Sequence, residues 1–198
     1  MNRFIIADSA KCIGCRTCEV ACVVSHKANQ DCAALSPKAF SARIWVVKGG
    51  SFTTAVTCHH CEDAPCANVC PAGAISRVSG RVYVEQSLCI GCKSCMLACP
   101  YGAISVMMTD NGVQALKCDL CGHREDGPAC VAACPTQALY CITPAELERL
   151  SGERRLRTAL AIQTGDKTRD YAPCSPQARS TSSARIFTPA SIFSGSGT

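Results

Sequence analysis

The chain has 198 residues, a formal net charge of +5 and 19 cysteines. This cysteine content is typical of secreted, disulfide-linked proteins, but the opening MNRFIIAD reaches an acidic residue before a signal-peptide core forms, and an odd number of cysteines cannot all pair within one chain. No run approaches the roughly 18 apolar residues of a membrane span. The charge counts each cysteine as neutral, whereas a metal-bound cysteine is a thiolate, so it does not indicate a nucleic-acid partner. We expect a cytoplasmic protein without a direct membrane span, whose cysteines bind metal.

Sixteen of the cysteines form four groups of four along the chain. The groups are Cys12, Cys15, Cys18, Cys22; Cys58, Cys61, Cys66, Cys70; Cys89, Cys92, Cys95, Cys99; and Cys118, Cys121, Cys130, Cys134. The first group, CIGCRTCEVAC, matches the third, CIGCKSCMLAC, and the second matches the fourth apart from a longer middle loop. The order is therefore A, B, A, B, which is an internal repeat. The predicted repeat units are residues 2–32, 49–79, 80–109 and 114–147.

Short apolar segments flank the groups and are too short for amphipathic helices, so they indicate strands. These predicted strands are 3–6, 43–47, 81–84 and 103–107. Val78-Ser79-Gly80 and Asp110-Asn111-Gly112 are turn signals between such strands. Residues 23–57 carry no metal motif and are interpreted as a connecting insertion with one strand.

Each group of cysteines ends in a segment long enough for one or two helical turns. Pro71, Pro100 and Pro135 end three of these helices. The first group has Val23 instead, so its helix is expected to continue towards His26. The predicted fold class is therefore α+β, built from small units of strand, loop, short helix and strand.

The C-terminal part of the chain contains one predicted helix and a tail. Thr143-Pro144-Ala145-Glu146 has the form of a helix start, with threonine as the N-cap and proline at the first helical position. Leucines on this helix are expected to face the body of the protein: Leu147, Leu150 and Leu156. Residues 163–198 become rich in serine and threonine, a composition that indicates disorder.

Four kinds of chemistry are alternatives for four cysteines in a repeat. Structural zinc uses four thiolates, usually as two well-separated CxxC pairs. Disulfides and a thioredoxin-like CxxC fit neither the reiteration nor the spacing. Three cysteines at two-residue spacing, with a fourth three residues later, are instead the spacing of bacterial ferredoxins, in which the fourth cysteine ligates a neighbouring iron–sulfur cluster. Since all sixteen positions are cysteine, the sequence predicts four 4Fe–4S clusters.

Other polar side chains near the groups have simpler interpretations. His59 and His60 lie between Cys58 and Cys61, where four cysteines already suffice as ligands, so we expect packing or hydrogen bonds to cluster sulfur. The acidic pairs Glu62-Asp63 and Glu125-Asp126 are expected to order their loops. No role follows from the sequence for Cys32, Cys141 or Cys174, although Cys141 fits a small buried apolar position.

The four motifs CIGCRTCEVAC, CHHCEDAPCANVCP, CIGCKSCMLACPYGAI and CDLCGHREDGPACVAACPTQAL resemble the four-cluster ferredoxin-type subunits of molybdopterin oxidoreductases and hydrogenases. The opening 26 residues are similar to the small electron-transport proteins associated with formate dehydrogenase H, and to the iron–sulfur subunits of formate hydrogenlyase. The resemblance covers about residues 1–160 and leaves out the tail. It implies tandem ferredoxin-like modules of two 4Fe–4S clusters each, with pseudo-two-fold repeats.

The resemblance also implies how the cysteines are shared between clusters. The first repeat shares ligands with the fourth, and the second with the third. The implied sets are Cys12, Cys15, Cys18, Cys134 (cluster 1); Cys22, Cys118, Cys121, Cys130 (cluster 2); Cys58, Cys61, Cys66, Cys99 (cluster 3); and Cys70, Cys89, Cys92, Cys95 (cluster 4).

The sequence therefore predicts a non-catalytic electron-transfer protein. It would relay single electrons from a larger catalytic oxidoreductase, a formate dehydrogenase-type molybdoenzyme, to an acceptor such as a hydrogenase. No dinucleotide-binding, phosphate-binding or nucleophile motif is present in the sequence. Two alternatives stay open: a subunit of another reductase, and an accessory or maturation factor for formate dehydrogenase.

Overall fold

The computed structural model describes residues 3–33, 35–37, 40–109 and 112–163. The chain divides into two compact units, Met1–Arg155 and Leu156–Thr198. The predicted tail at 163–198 lies outside the described residues, except for Gln163, which ends the last helix. None of the described helices is both long and apolar enough to cross a lipid bilayer.

In the described part of the chain, eight short strands form four antiparallel two-stranded sheets. The strands are β1 (Phe4–Ala7), β2 (Trp45–Gly49), β3 (Phe52–Val56), β4 (Ile75–Val78), β5 (Arg81–Val84), β6 (Ile104–Thr109), β7 (Gly112–Lys117) and β8 (Leu139–Ile142). Three sheets are hairpins of consecutive strands, whereas β1 pairs with β8 from the other end of the first unit. In that sheet Phe4 lies opposite Ile142 and Ala7 opposite Leu139. The sheet therefore joins the first repeat to the fourth.

Five α-helices accompany the strands among the described residues. They are α1 (Thr17–Ser25), α2 (Pro65–Asn68), α3 (Ser94–Ala98), α4 (Ala129–Ala132) and α5 (Pro144–Gln163). α1 packs against α4, and α2 packs against α3. α1 ends at Ser25 with His26 as its C-cap, which confirms the predicted extension beyond Val23, whereas each of the helices followed by proline has only one turn. The mixture of small strands and short helices confirms the predicted α+β class.

Two apolar cores lie beneath these elements, and cysteines contribute to both. The first core combines Ile5, Ile44 and Leu139 with Cys22 and other cysteines, and so draws on both ends of the first unit. The second core is built around Val82, Ile75 and Ile104 from the middle of the chain. Cys99 packs against both cores. The cysteine groups are therefore part of the protein interior.

The insertion between the first two groups differs from the prediction of one strand, because it forms the hairpin β2–β3. Gly50 and Ser51 provide the turn, and Gly50 adopts a φ of +30°. The second strand, FTTAV, is rich in residues that favour a pleated sheet. Its two threonines interrupt the apolar residues, so the segment does not stand out as an apolar run in the sequence.

The C-terminal helix begins as predicted, but it is not buried. The backbone N–H of Glu146 donates to Oγ1 of Thr143 at 3.3 Å, as an N-cap requires. No described side chain of α5 is buried, and Leu147 and Leu156 are 44% and 62% exposed. The expectation is wrong for these two leucines, because arginines and glutamates are interspersed all round this helix and leave no continuous apolar face. Leu150 is half-buried and lines a pocket with Ile6 and Ile142, so it faces the body as expected.

Candidate metal centres

Two pockets of similar size are each lined by four cysteines from two different repeats. The first pocket is lined by Cys12, Cys15, Cys18 and Cys134. The second pocket is lined by Cys70, Cys89, Cys92 and Cys95. The other walls are mainly alanine, valine and isoleucine. Each pocket combines three closely spaced cysteines with the last cysteine of another repeat, and we call these the outer sites.

The loops that carry these cysteines have the same backbone shape in the two repeats. Gly14 and Gly91 both have a φ of +71°, and Arg16 and Lys93 have φ of 62° and 65°. A Cβ atom on Gly91 would lie 2.4 Å from Cγ1 of Val113. Left-handed backbone and close packing both require glycine there. The repeated turns bend the loop so that successive cysteines face one pocket.

Cys58, Cys61, Cys66 and Cys99 lie close together, although they come from two repeats. Burial raises the pKa of Cys66 to about 11, and the neighbouring Cys58 and Cys99 thiols act in the same direction. The pKa of Cys61 is also raised, by burial and then by Cys58 and Cys99. Neighbouring thiols oppose each other's ionisation because their anionic forms repel. These four thiols therefore share one electrostatic environment.

The remaining four cysteines, from the first and fourth repeats, are the most deeply buried set. Burial raises the pKa of Cys118 to about 12, and Cys22 contributes to the rise. Burial also raises the pKa of Cys130, together with Cys118, Cys22 and Cys121. Cys22, Cys118, Cys121 and Cys130 are all buried. We call this set and the set containing Cys66 the inner sites.

The donor chemistry of all four sites fits an iron–sulfur cluster. Each set offers only thiols, which are soft ligands suited to iron–sulfur clusters and zinc. Buried thiols with raised pKa values stay protonated unless a metal binds and displaces the proton. The apolar walls limit the access of water to the sites. Solvent access is one of the factors that control the reduction potential of a bound cluster.

Backbone N–H groups point at cysteine sulfur at matching positions of the repeats. The N–H of His60 donates to Sγ of Cys58 at 3.4 Å, and that of Leu120 donates to Sγ of Cys118 at 3.4 Å. Two further N–H groups lie four residues beyond their cysteine: Ala103 to Cys99 at 3.4 Å and Ala138 to Cys134 at 3.3 Å. Hydrogen bonds to ligand sulfur stabilise negative charge and raise a cluster's reduction potential.

A buried charged network lies beside the inner site that contains Cys22, and sequence reasoning missed it. The Asp119 carboxylate accepts from Nε2 of His26 at 3.1 Å and from the guanidinium of Arg43. Burial alone would lower the pKa of His26, but the hydrogen bonds to Asp119 and to the Cys22 carbonyl raise it to about 10. Burial would raise the pKa of Asp119, but His26 and Arg43 hold it well below its usual range.

The donor atoms of His26, Asp119 and Cys121 lie within 4.8 Å of one another. They are not a separate metal site, because the Asp119 oxygens are already bonded to His26, Arg43 and the Cys121 N–H. The network instead ties the first repeat, the insertion and the fourth repeat together. The only sequence signal was a carboxylate placed inside the CDLC motif.

The two histidines between Cys58 and Cys61 have different surroundings. The His59 ring stacks between Phe4 and Tyr101, with centroid distances of 5.5 and 3.9 Å. His60 is fully buried, and its Nδ1 accepts from the Val82 N–H at 3.0 Å. Burial lowers the pKa of His60 to about 3, so the ring is neutral and its proton lies on Nε2. That nitrogen has no partner among the described residues.

The other residues singled out in the sequence lie apart from these sites or outside the described residues. Asp63 accepts from Asn68 at 2.7 Å, which orders its loop as expected. Cys32 is exposed, and Cys141 is half-buried against the first core. Cys174 lies beyond the described residues.

Comparisons with known proteins agree with the cysteine pattern. Residues 51–143 match the model of the 4Fe-4S dicluster domain, and residues 9–24 match that of the 4Fe-4S binding domain. Together these matches include all four cysteine groups. The chain thus carries 4Fe–4S ferredoxin-type domains.

Three curated proteins of Escherichia coli strain K12 are similar to the chain. Electron transport protein HydN is 61% identical over 173 residues, covering 81% of this chain and 99% of HydN. Putative electron transport protein YsaA is 66% identical over 149 residues, covering 75% of this chain and 95% of that protein. Formate hydrogenlyase subunit 2 is 40% identical over 187 residues, covering 78% and 89%.

Proposed function

Because the chain belongs to the family of 4Fe–4S ferredoxin-type electron transport proteins, we propose that it holds four 4Fe–4S clusters and relays single electrons from a formate-oxidising molybdoenzyme to an acceptor such as a hydrogenase. The observation that carries this proposal is the pair of outer pockets. Each is lined by the four cysteines of one ligand set implied by the family resemblance. The electrostatic grouping of the other eight cysteines supports the two inner sets.

We further propose that the protein is two ferredoxin-like modules related by a pseudo-two-fold axis. The contact of α1 with α4 and the pairing of β1 with β8 support a module made from the first and fourth repeats. The contact of α2 with α3 supports a module made from the second and third. The matching backbone of the loops and the similar pocket volumes support their equivalence.

The exposure of the ligands supports a linear order of the four sites. Cys15 and Cys92, one in each outer site, are exposed, whereas Cys58 and Cys118 in the inner sites are buried. Bound 4Fe–4S clusters accept and release one electron at a time. The outer cysteines therefore present the accessible ends of the row, and the buried cysteines keep its middle dry. Apolar packing and N–H groups directed at sulfur set the potential of each site.

We propose a non-catalytic role, because HydN is named an electron transport protein and 99% of its length matches this chain. The similarity to formate hydrogenlyase subunit 2 supports formate oxidation as the source of electrons. A reducing cytoplasm suits sixteen cysteines that must stay unpaired as ligands.

The relay is tested by mixing the anaerobically purified chain with a formate dehydrogenase and formate. We expect the visible absorbance of the clusters to bleach only when formate and the enzyme are both present, and restoration when a hydrogenase and protons are supplied. Clusters that stay oxidised while dehydrogenase activity rises would instead support an accessory factor. Clusters reduced by another reductase, and not by this pair, would assign a different partner.

A further inference from the structure

Lys117, the last residue of β7, is a buried cation without an anionic partner in the described part of the chain. Its side chain is 97% removed from solvent, since the residue is 3% exposed. Nζ donates to the carbonyl oxygens of Val82 and, at 2.8 Å, of Cys118. No carboxylate of the described residues lies within 4.0 Å of it. An ammonium has three N–H donors, so these two carbonyls leave one donor unused.

The ammonium bonds one carbonyl from each of the two apolar cores. Val82 belongs to the second core, against which Cys66 packs, and Cys118 belongs to the first core. Burial raises the pKa values of both Cys66 and Cys118, and the Lys117 charge acts against that rise in both thiols. One cation therefore influences cysteines of two different ligand sets.

The repeat shows that packing does not require a lysine here. Thr57 precedes Cys58 as Lys117 precedes Cys118. Thr57 is equally buried, at 2% exposure, and its hydroxyl donates to the Ile5 carbonyl at 3.0 Å. A neutral hydroxyl thus satisfies the same kind of backbone acceptor at the equivalent position. The positive charge is an addition on one side only.

A buried ammonium without a counter-charge is strongly destabilising, because desolvation costs several kcal/mol. Two carbonyl dipoles offset only part of that cost. A 4Fe–4S cluster held by four thiolates carries net negative charge, and each inner site lies beside the lysine. The lysine lacks a negative partner and a bound cluster needs a positive one, so each supplies the charge that the other lacks.

We propose that the Lys117 ammonium is the shared counter-charge of the two inner clusters and raises the reduction potentials of both. The proposal rests on the inner ligand sets of the proposed function. Since reduction adds one negative charge to a cluster, a cation beside it favours the reduced form. The inner pair is then easier to reduce than it would be in the same cavity without the charge.

The test compares Lys117→Met, which removes the charge, with Lys117→Arg, which keeps it. Each holoprotein is titrated potentiometrically under anaerobic conditions, and the midpoints are followed by electron paramagnetic resonance. Lys117→Met should lower two of the four midpoint potentials by at least about 59 mV. For one electron, this shift is a tenfold change in the ratio of reduced to oxidised cluster. Lys117→Arg should keep both midpoints close to those of the unaltered protein. Cys66→Ala and Cys121→Ala, which each remove one inner cluster, identify the affected signals.

Lys11→Met is the matched control, because Lys11 precedes the ligand Cys12 as Lys117 precedes Cys118 but is exposed. Water and salt screen an exposed charge, so this change should move its midpoint much less. Selective loss of both inner clusters in Lys117→Met, with retention in Lys117→Arg, would also support the counter-charge.

Iron content separates the two ways of failing. An unaltered chain without about 16 irons overturns the proposed function and this inference with it. Full iron content with unmoved midpoints in Lys117→Met overturns the inference alone. So does equal damage in Lys117→Met and Lys117→Arg, because the shape of the side chain rather than its charge would then matter.

Discussion

The hydroxyl of Thr17 lies 3.3 Å from Sγ of Cys15 and donates to it at the exposed rim of an outer site. This side-chain hydrogen bond, with that of the Thr17 backbone, lowers the pKa of Cys15. Ser94 lowers the pKa of Cys92 in the same way at the other outer site. Both outer sites therefore have a hydroxyl that stabilises negative charge on their exposed cysteine.

We predict that Thr17→Val, which keeps the shape and removes the donor, lowers the midpoint potential of one outer cluster. A single hydrogen bond contributes about 1 kcal/mol, which corresponds to a shift on the order of fivefold in the redox ratio. Potentiometric titration measures it. Ser94→Ala is the matched variant and should shift the other outer cluster; if both variants leave every midpoint in place, the hydroxyls have no tuning role.

A second prediction concerns the buried carboxylate of Asp119. Asp119→Asn leaves the charges of His26 and Arg43 without their shared partner in a largely buried site. Removing one member of a buried ion pair typically destabilises a protein by about 3 kcal/mol. Anaerobic denaturant unfolding of the holoprotein should show a loss of that size.

Asp126→Asn is the control for that measurement. Asp126 lies 3.8 Å from Arg124, but its side chain is 89% exposed, and exposed ion pairs contribute less than about 1 kcal/mol. Equal effects of the two substitutions would contradict the structural importance of the Asp119 network.

A third prediction uses the glycine in the loop of the second outer site. Gly91→Ala introduces a Cβ 2.4 Å from Cγ1 of Val113 at a φ of +71°. Left-handed backbone costs a residue with a side chain about 1–2 kcal/mol, and the overlap adds to that strain. We expect loss of roughly 4 of 16 irons, with partial recovery in the double variant Gly91→Ala with Val113→Ala.

Gly102→Ala separates the two causes, because Gly102 has a φ of +59° and no atom within 4 Å of the added Cβ. It should show conformational strain without steric overlap, and therefore full iron content. The same iron loss in Gly102→Ala would mean that backbone strain alone explains the effect at Gly91.

The cysteine pattern carried most of what could be foreseen about the sites. Three closely spaced cysteines indicate that they bind one cluster, and the family resemblance implies the fourth ligand from another repeat. The proline after Cys70, Cys99 or Cys134 prevents each short helix from continuing. The helix at Thr17–Ser25 was foreseeable for the same reason, since Val23 leaves the backbone free to continue.

Features that depend on contacts between distant segments were not foreseeable. His26, Arg43 and Asp119 are far apart in the sequence, and nothing local shows that they meet. A lysine is ordinarily expected at the surface, and only the fold shows that Lys117 is buried. Leu147 and Leu156 are exposed rather than packed, because charged residues interrupt the apolar face of α5.

A fourth prediction tests the sharing of ligands between repeats. In Cys99→Ala we expect loss of the cluster bound by Cys58, Cys61 and Cys66, although Cys99 is closer in sequence to Cys95. Cys66→Ala with Cys99→Ala should then lose no more iron than either single variant, because both cysteines serve one cluster. Cys95→Ala with Cys99→Ala should lose about twice as much. The reverse pattern of additivity would contradict the proposed pairing.

The central claim is that one chain holds four separate one-electron centres. It is tested most directly by anaerobic reductive titration of the purified protein, counting the electrons taken up per chain together with its iron. The account predicts four electrons and about 16 irons per chain. A protein that takes up no electrons and holds zinc at the cysteines would contradict it, and uptake of two electrons with about 8 irons would remove half of the proposed row.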